Sequence, residues 1–274
     1  MNHIKRTIAA ENHPRLNFRR TPGLVVYLTC GDPDLTTTRE IILAAIKAGA
    51  DVIELGVPFS DPVADGPVIQ RASERALKNG TSLQDVLKLA QEIRGQSDAG
   101  LIIFSYFNPI LRMGMERFCA AAAEAGADGV LITDMVVEEA GEYRRCMDSH
   151  GLAPIFLAAP TSTDQRLRSI AQASRGFIYA VSRTGITGQQ KQLAGDAREL
   201  VQRIRKYTKL PVAVGFGISN PEQFRQVGEF ADAAVIGSAI VHTIEQNPGR
   251  GPQAVAELIG SLRKGGSKAA NSPR

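Results

Sequence analysis

The sequence is poor in the features that mark secreted, membrane-spanning and disulfide-rich proteins. It contains no tryptophan and only three cysteines, Cys30, Cys119 and Cys146, without C-x-x-C spacing. This odd number predicts neither a disulfide framework nor a zinc site. The N-terminus lacks the apolar stretch of a signal peptide, and no segment approaches the ~18 consecutive apolar residues of a membrane span. We therefore expect a cytoplasmic protein with no membrane partner.

An excess of charge is also missing from most of the chain. The formal net charge is +4, from 32 basic and 28 acidic residues, but residues 263–274 hold four basic residues and no acid. Residues 1–262 are thus neutral as a whole, which gives no indication of a nucleic-acid partner. We expect them to form a single domain with an N-terminal extension, followed by a disordered basic tail over 263–274.

The chain does contain a repeated alternation of short apolar runs and segments with helical spacing. The runs are rich in β-branched residues and almost continuously apolar, which is typical of parallel strands buried on both faces. Eight such units predict an α/β fold of the (β/α)₈ TIM barrel type. The G-x-G-x-x-G turn of a doubly wound sheet does not follow the first run. The predicted strands cover residues 24–30, 51–57, 101–107, 129–134, 153–159, 176–182, 211–217 and 233–239. The predicted helices cover residues 36–48, 83–94, 116–125, 138–149, 165–173, 197–207 and 221–227.

Three carboxylates are crowded into the second predicted strand and the loop after it, in ELGVPFSDPVADGP (54–67). Glu54 lies within the strand, where burial raises the pKa of a carboxyl group and suits it to proton transfer. The alternative is a structural acid that caps amides or pairs with an arginine. Asp61 and Asp65 follow on a loop stiffened by three prolines. Asp61 before proline is typical of a turn, whereas Asp65 fits either a turn or a catalytic role.

Glycines mark the ends of the last three predicted strands, in SRTGITG (182–188), GFGISN (215–220) and IGSA (236–239). Backbone N–H groups at such turns bind phosphate, and TIM barrels often hold a phosphate after strands seven and eight. The alternative is that these glycines only turn the chain. No predicted strand contains lysine or histidine, so neither a Schiff-base nucleophile nor a His-built metal site is expected at the barrel mouth. The pattern predicts carboxylate acid–base chemistry on a phosphorylated small molecule.

Several motifs, in order and spacing, resemble the tryptophan synthase α subunit family from about Arg19 to Leu262. They are CGDPD (30–34), ELGVPFSDPVADGPVIQRA (54–72), YFNPI (106–110), SRTGITG, GFGIS and IGSAIV. The resemblance implies retro-aldol cleavage of indole-3-glycerol phosphate to indole and glyceraldehyde 3-phosphate in L-tryptophan biosynthesis. It further implies that this chain needs no cofactor, and that it passes indole to a pyridoxal-phosphate-dependent β subunit within an αββα heterotetramer.

The resemblance also implies roles for individual residues. Glu54 matches the general acid–base that protonates the indole ring carbon and takes the glycerol hydroxyl proton, and Asp65 matches the group that holds the indole N–H. Asp61 matches a structural or partner-contacting residue. The implied substrate-binding residues are Tyr27, Tyr106 and Tyr179 in the pocket, Arg183 and Thr187 on a mobile loop, and Gly188, Gly217, Gly237 and Ser238 around the phosphate.

Two departures from the family pattern bear on the partner and the pocket. Met135, Val136 and Val137 stand where the family usually has a proline in a segment that communicates with the partner, and Tyr27 replaces a common phenylalanine. Two other functions remain open at this point. One is a stand-alone lyase that releases indole, and the other is a non-catalytic barrel that binds a phosphorylated ligand or supports the β subunit.

Overall fold

The computed structural model describes residues 13–18, 20–181, 190–215 and 217–266. Parallel strands form a barrel at the centre of the described chain, and helices surround it, as the sequence predicted. The strands are β1 (Gly23–Thr29), β2 (Val52–Gly56), β3 (Gly100–Ser105), β4 (Gly129–Ile132), β5 (Ala153–Ile155), β6 (Leu157–Ala158), β7 (Ile178–Val181), β8 (Val212–Gly215) and β9 (Ala233–Ile236).

The barrel has nine strands by hydrogen bonding because the fifth predicted strand is divided at Phe156. The strand order is β5-β4-β3-β2-β1-β9-β8-β7-β6. The two end strands are therefore separated in the chain by Phe156 alone, whose carbonyl accepts a hydrogen bond from the amide of Tyr179 at 3.2 Å. The predicted strand 153–159 thus lies at the seam of the barrel, and the eightfold alternation of the fold is kept.

The seven predicted helices are present, most of them to within a few residues. The helix predicted at 197–207 begins earlier, at Gln190, and the helix predicted at 138–149 begins later, at Gly141. Four were not predicted, at 67–78, 107–113, 238–246 and 251–266, because each directly follows a glycine-rich, proline-rich or strand-like stretch. The helices are α1 (Leu35–Ala48), α2 (Pro67–Lys78), α3 (Leu83–Arg94), α4 (Phe107–Met113), α5 (Met115–Glu124), α6 (Gly141–Ser149), α7 (Asp164–Ala173), α8 (Gln190–Ile204), α9 (Pro221–Val227), α10 (Ser238–Gln246) and α11 (Gly251–Gly266).

The final helix corrects the predicted end of the domain. Because α11 continues to Gly266, residues 263–266 are helical, and the arginine among them is part of the fold. The guanidinium of Arg263 donates to the carbonyls of Gly49 and Pro22 at 2.6 and 2.9 Å. Residues 267–274 lie outside the described residues. Across the described ranges, no helix has both the length and the apolar character needed to cross a membrane.

Burial on both faces of the strands explains their nearly continuous apolar sequence. All seven residues of β1 are buried: Val25 belongs to the cluster inside the barrel, and Leu24 and Val26 belong to the layer between strands and helices. The short 3₁₀ helix Pro14–Leu16 places the fully buried Leu16 in the interior cluster as well. Apolar packing therefore fills the barrel below its carboxyl end.

Three aspartates fix the amino end of the barrel by the same device. Each directly precedes a strand, accepts a hydrogen bond from the first or second amide of the neighbouring strand, and pairs with an arginine. The three groups are Asp51 with Leu24 (2.7 Å) and Arg263 (2.5 Å), Asp128 with Leu101 (2.9 Å) and Arg94 (2.6 Å), and Asp232 with Val212 (2.8 Å) and Arg205 (3.1 Å).

The cysteines differ from the sequence prediction. Cys119 of α5 and Cys146 of α6 are paired as a disulfide, with 6.4 Å between their Cα atoms, and Cys30 is free and buried. The prediction rested on the odd number and the absence of C-x-x-C spacing. It missed the pair because two helices that are adjacent in the barrel bring together cysteines 27 positions apart.

Candidate active site

Glu54 lies on the inner face of β2, two residues after Val52 of the interior cluster. Its neighbour across the ladder is Tyr27 of β1. The side chain has no exposed surface, and neither carboxylate oxygen has a hydrogen-bond partner among the described residues. Burial raises the pKa of Glu54 from 4.5 to about 8. Glu54 is therefore an acid that keeps its proton at neutral pH and can both give and take one.

Asp65 lies on the loop between β2 and α2, after the carboxyl end of the strand that carries Glu54. Its carboxylate Oδ2 accepts a hydrogen bond from the hydroxyl of Tyr106 at 3.2 Å. The amide of Ala64 donates to the same hydroxyl at 2.9 Å. Burial raises the pKa of Asp65 to about 6, and the Tyr106 hydrogen bond opposes that rise. Asp65 is half-buried and is largely ionised at neutral pH, so the two carboxyl groups differ in protonation.

Aromatic rings surround these carboxyl groups. Tyr27 packs edge-on against Phe104 with ring centroids 4.9 Å apart, and its hydroxyl lies 3.3 Å from Thr29 Oγ1. Burial raises the pKa of Tyr27 well above its usual value, and the nearby charge of Asp65 adds to this rise. Tyr106 stacks on Phe59, also at 4.9 Å. Tyr27 and Tyr106 therefore place aromatic rings beside the two carboxyl groups.

Two strand-end glycines give the tyrosines room. A Cβ atom on Gly56 would lie 2.6 Å from the Tyr27 hydroxyl, and one on Gly215 would lie 2.8 Å from the hydroxyl of Tyr179. Real Cβ contacts are essentially never this short. Both tyrosines therefore depend on glycine at the carboxyl end of a neighbouring strand.

The glycines predicted to hold phosphate lie at the carboxyl ends of the paired strands β8 and β9. Gly217 follows β8 with a φ of +69°, which favours glycine. Gly237 follows β9 and is the N-cap of α10, whose first residue, Ser238, is exposed. The first amides of a helix have no partner within the helix, so they can face an anion. The other predicted substrate contacts, Arg183, Thr187 and Gly188, lie outside the described residues.

The family profile of the tryptophan synthase alpha chain matches residues 15–270. The chain belongs to the tryptophan synthase alpha chain family. It is 54% identical to the alpha chain of Solibacter usitatus over 82% of this chain and 84% of that protein. It is 45% identical to that of Geobacter sulfurreducens over 96% and 98%.

Solved structures of the family share the fold. An alpha chain from Legionella pneumophila aligns with a TM-score of 0.84 at 35% identity, covering 92% of this chain and 94% of that one. A chain in tryptophan synthase from M. tuberculosis, in its aminoacrylate-bound form, aligns with a TM-score of 0.81 at 35% identity, covering 89% and 93%. These likenesses confirm the predicted family and its TIM barrel.

Membership of this family also decides among the functions that the sequence left open. The tryptophan synthase alpha reaction is the cleavage of indole-3-glycerol phosphate to indole and glyceraldehyde 3-phosphate, so this chain is a carbon–carbon lyase of tryptophan biosynthesis. The stand-alone lyase and the non-catalytic scaffold are not favoured.

Sequence reasoning missed how the Asp65 loop is anchored. Arg75 of α2, the helix that the loop enters, donates to both carboxylate oxygens of the buried Asp32, at 2.7 and 2.8 Å. It also contacts Glu245 of α10 at 2.9 Å. This network joins the loop after β1 to α2 and α10. The only sequence signal was Asp32 in the quoted motif CGDPD. Asp61, by contrast, is exposed, which agrees with its interpretation as a turn residue.

Proposed function

We propose that Glu54 and Asp65 divide the cleavage of indole-3-glycerol phosphate between proton transfer and positioning. The observation that carries this proposal is the contrast between the two carboxyl groups. Glu54 is fully buried with no hydrogen-bond partner among the described residues, whereas Asp65 is half-buried and held by Tyr106. Pairs of acids whose surroundings separate their pKa values are typical of acid–base sites.

Glu54 is the group that moves protons. In its neutral form it donates a proton to indole C3, which turns the ring into an electron-accepting tautomer. The resulting carboxylate then takes the proton from the adjacent glycerol hydroxyl as the carbon–carbon bond breaks. The bond electrons return to the indole, the hydroxyl carbon becomes the aldehyde, and Glu54 regains its proton, so one residue serves both steps.

Asp65 is the group that holds the indole nitrogen. An ionised carboxylate accepts a hydrogen bond from the ring N–H and stabilises the positive charge that develops when C3 is protonated. Tyr106 keeps this carboxylate in position through its hydroxyl. We assign Tyr27, Tyr106 and Tyr179 to the pocket around the indole ring.

The phosphate binds at the carboxyl ends of β8 and β9, at Gly217, Gly237 and Ser238, together with Gly188. Support comes from the pairing of β8 with β9 and from the amino end of α10. No lysine or arginine adjoins the turns after β8 and β9 in the sequence, so backbone amides supply most of the attraction. Arg183 and Thr187 complete the substrate contacts.

The partner is a β subunit that contains the pyridoxal phosphate of the complex, and this chain uses no cofactor. The loops and helices after three neighbouring strands, β2, β3 and β4, each expose a large apolar side chain. These side chains are Val63, Leu111 and Val136, with 86, 57 and 43% of their surfaces exposed. Exposed apolar side chains that follow neighbouring strands suit a contact with a partner, and we propose that these three side chains form a surface that contacts the β subunit in an αββα heterotetramer.

The role assignment is tested by comparing Glu54→Gln with Asp65→Asn. Steady-state formation of indole and glyceraldehyde 3-phosphate gives kcat and KM. Calorimetry with an analogue that lacks the reacting hydroxyl gives binding. We expect Glu54→Gln to lose about 10²- to 10⁴-fold in kcat while it still binds the analogue, and Asp65→Asn to lose both activity and affinity. Near-wild-type turnover of Glu54→Gln would return Glu54 to a structural role.

A further inference from the structure

A cluster of potential metal ligands lies in the outer helical layer, between α5 and α6. Glu116 and Cys119 are three residues apart on α5, and Cys146 and His150 are four residues apart at the end of α6. Residues at these spacings share one face of a helix. Two facing helices therefore present two sulfur atoms, one imidazole and one carboxylate to the same place.

The side-chain atoms are close enough to share one ion. One ligand atom from each of Cys119, Cys146 and His150 lies within 4.8 Å of the others. Glu116 Oε1 lies 3.4 Å from His150 Nε2, and Glu116 Oε2 lies 3.4 Å from Cys146 Sγ. Atoms bound to one zinc at about 2.0 to 2.3 Å must lie within about 4 Å of each other. Small rotations of Cys119, Cys146 and His150 suffice once the two sulfurs are reduced, and the exposed Glu116 must turn toward them to supply the fourth ligand.

The surroundings of His150 leave the correct nitrogen available. His150 Nδ1 lies 3.0 Å from the backbone carbonyl of Cys146. A carbonyl oxygen only accepts hydrogen bonds, so Nδ1 carries a proton, and Nε2, on the side of Glu116, is the nitrogen that can bind an ion. A backbone carbonyl that fixes a histidine in this way is the common outer partner of metal-binding imidazoles.

The two cysteines of the cluster are buried, whereas its histidine and glutamate are more exposed to solvent. Cys119 is fully buried and Cys146 is 6% exposed, whereas the side chains of His150 and Glu116 are 20% and 78% exposed. An ion can therefore enter past Glu116 and His150 and reach sulfur ligands that are shielded from water.

We propose that the reduced form of this cluster binds a zinc-like divalent cation through Cys119, Cys146, His150 and Glu116. Each thiol loses a proton to become a thiolate ligand, so binding releases two protons, and the imidazole binds neutral. Two sulfurs, one nitrogen and one oxygen suit zinc or cobalt and do not suit magnesium or calcium. The ion would join α5 to α6, away from the barrel mouth, in place of the cross-link between the same two sulfurs.

The experiment uses the full chain, reduced with a phosphine and titrated with cobalt(II) under inert gas. We expect about one cobalt per chain, with the intense visible bands of a tetrahedral site and a sulfur-to-cobalt charge-transfer band, all displaced by zinc. Cys146→Ser should lose these bands, and His150→Gln should weaken binding about 10- to 100-fold. Cys30→Ser is the matched control, because Cys30 is buried and lies outside the cluster, and it should bind like the wild type.

Two results would overturn the proposal: no tetrahedral cobalt spectrum from the fully reduced chain, or binding that Cys146→Ser and His150→Gln leave unchanged. Circular dichroism checks that each variant is folded. If Cys146→Ser does not fold, cobalt binding is measured with variants of the partly exposed His150 and Glu116 instead. His150→Gln and Glu116→Gln must then each weaken binding. A pair that only oxidises to a disulfide and never binds metal is therefore distinguished from a metal site.

Discussion

The acidic residues at the two ends of the barrel differ in whether they have hydrogen-bond and ion-pair partners. At the amino end, Asp51, Asp128 and Asp232 each have an arginine and a strand amide as partners. At the carboxyl end, Glu54 is more deeply buried than any of them, yet it has no hydrogen-bond partner among the described residues. Buried polar groups without partners are costly. The position of this acid at the end where TIM barrels perform catalysis is the reason that we propose a catalytic role for it.

The largest expected effect comes from comparing substitutions of one acidic residue at each end of the barrel. Glu54→Gln should lower kcat by about 10²- to 10⁴-fold and leave stability unchanged or improved, because it removes a group that burial disfavours when charged. Asp128→Asn should keep kcat and lower the free energy of unfolding by about 2 to 3 kcal/mol, because Arg94 and the amide of Leu101 lose a charged partner. Urea unfolding and steady-state kinetics measure both. If Asp128→Asn lowered kcat and remained stable, the division of roles between the ends would be wrong.

The next effect is a pH dependence of stability that belongs to Glu54. Its pKa is 4.5 in ordinary surroundings and about 8 in the folded chain. Between these values the unfolded chain has released the proton and the folded chain retains it, so stability falls as pH rises, by at most about 1.4 kcal/mol per pH unit.

Subtracting the Glu54→Gln variant isolates this effect. The variant lacks the titration at position 54 and retains that of Asp65, so its stability advantage over the wild type should grow from about pH 4.5 to about pH 8 and then level off. Chemical denaturation at a series of pH values checks this. An advantage that does not change with pH would mean that Glu54 ionises normally.

A smaller effect on activity should distinguish Tyr106, which contacts Asp65, from Tyr143, a buried tyrosine of the outer layer. Tyr106→Phe removes the hydrogen bond to Asp65, so kcat/KM should fall about tenfold. Because this bond lowers the pKa of Asp65, the acidic limb of the pH–rate profile should also move to higher pH. Tyr143→Phe is the matched control: its hydroxyl donates to the carbonyl of Val130 at 2.7 Å in the outer layer. It should cost about 1 kcal/mol of stability and leave kcat/KM unchanged. Equal losses of activity in the two variants would contradict the assignment.

The smallest effect concerns the proposed contact with the β subunit. Leu111→Asp should weaken binding of the cognate β subunit at least several-fold and leave the activity of the isolated chain unchanged, because a charge would be buried in an apolar contact. Leu77→Asp is the control, since Leu77 is an exposed leucine, 38% accessible, at the carboxyl end of α2 and is not one of the three side chains of the proposed surface. Calorimetric titration with the β subunit compares them, and similar losses for both variants would remove the proposed surface.

The barrel was predictable because strong local patterns encode it, and the same patterns single out the carboxyl groups of the proposed acid–base pair. Apolar runs buried on both faces define the strands, and Glu54 stands out because an acid interrupts one of them. The split at Phe156 could not be predicted, because it depends on which neighbouring strand each half of the run pairs with, β4 for residues 153–155 and β7 for residues 157–158. The helix 67–78 was missed because its sequence begins with a proline-rich turn.

Contacts between distant residues account for the rest. The partner of Asp65 is Tyr106, 41 positions away, and the anchor of the loop after β1 is Arg75, 43 positions from Asp32. The cysteine pair was missed for the same reason. Local periodicity indicates which faces are buried, but the identity of a partner across the barrel depends on how the helices pack.

The most direct test of the account is the titration of the Glu54 carboxyl group itself. Infrared difference spectra between the wild type and Glu54→Gln, recorded from pH 5 to pH 10, isolate the stretching band of the protonated acid. We expect a protonated Glu54 at pH 7 whose band disappears with a midpoint near the pKa of about 8. The absence of this band at pH 7 would contradict the assignment, because Glu54 would then be an ordinary carboxylate with no proton to give to the indole ring.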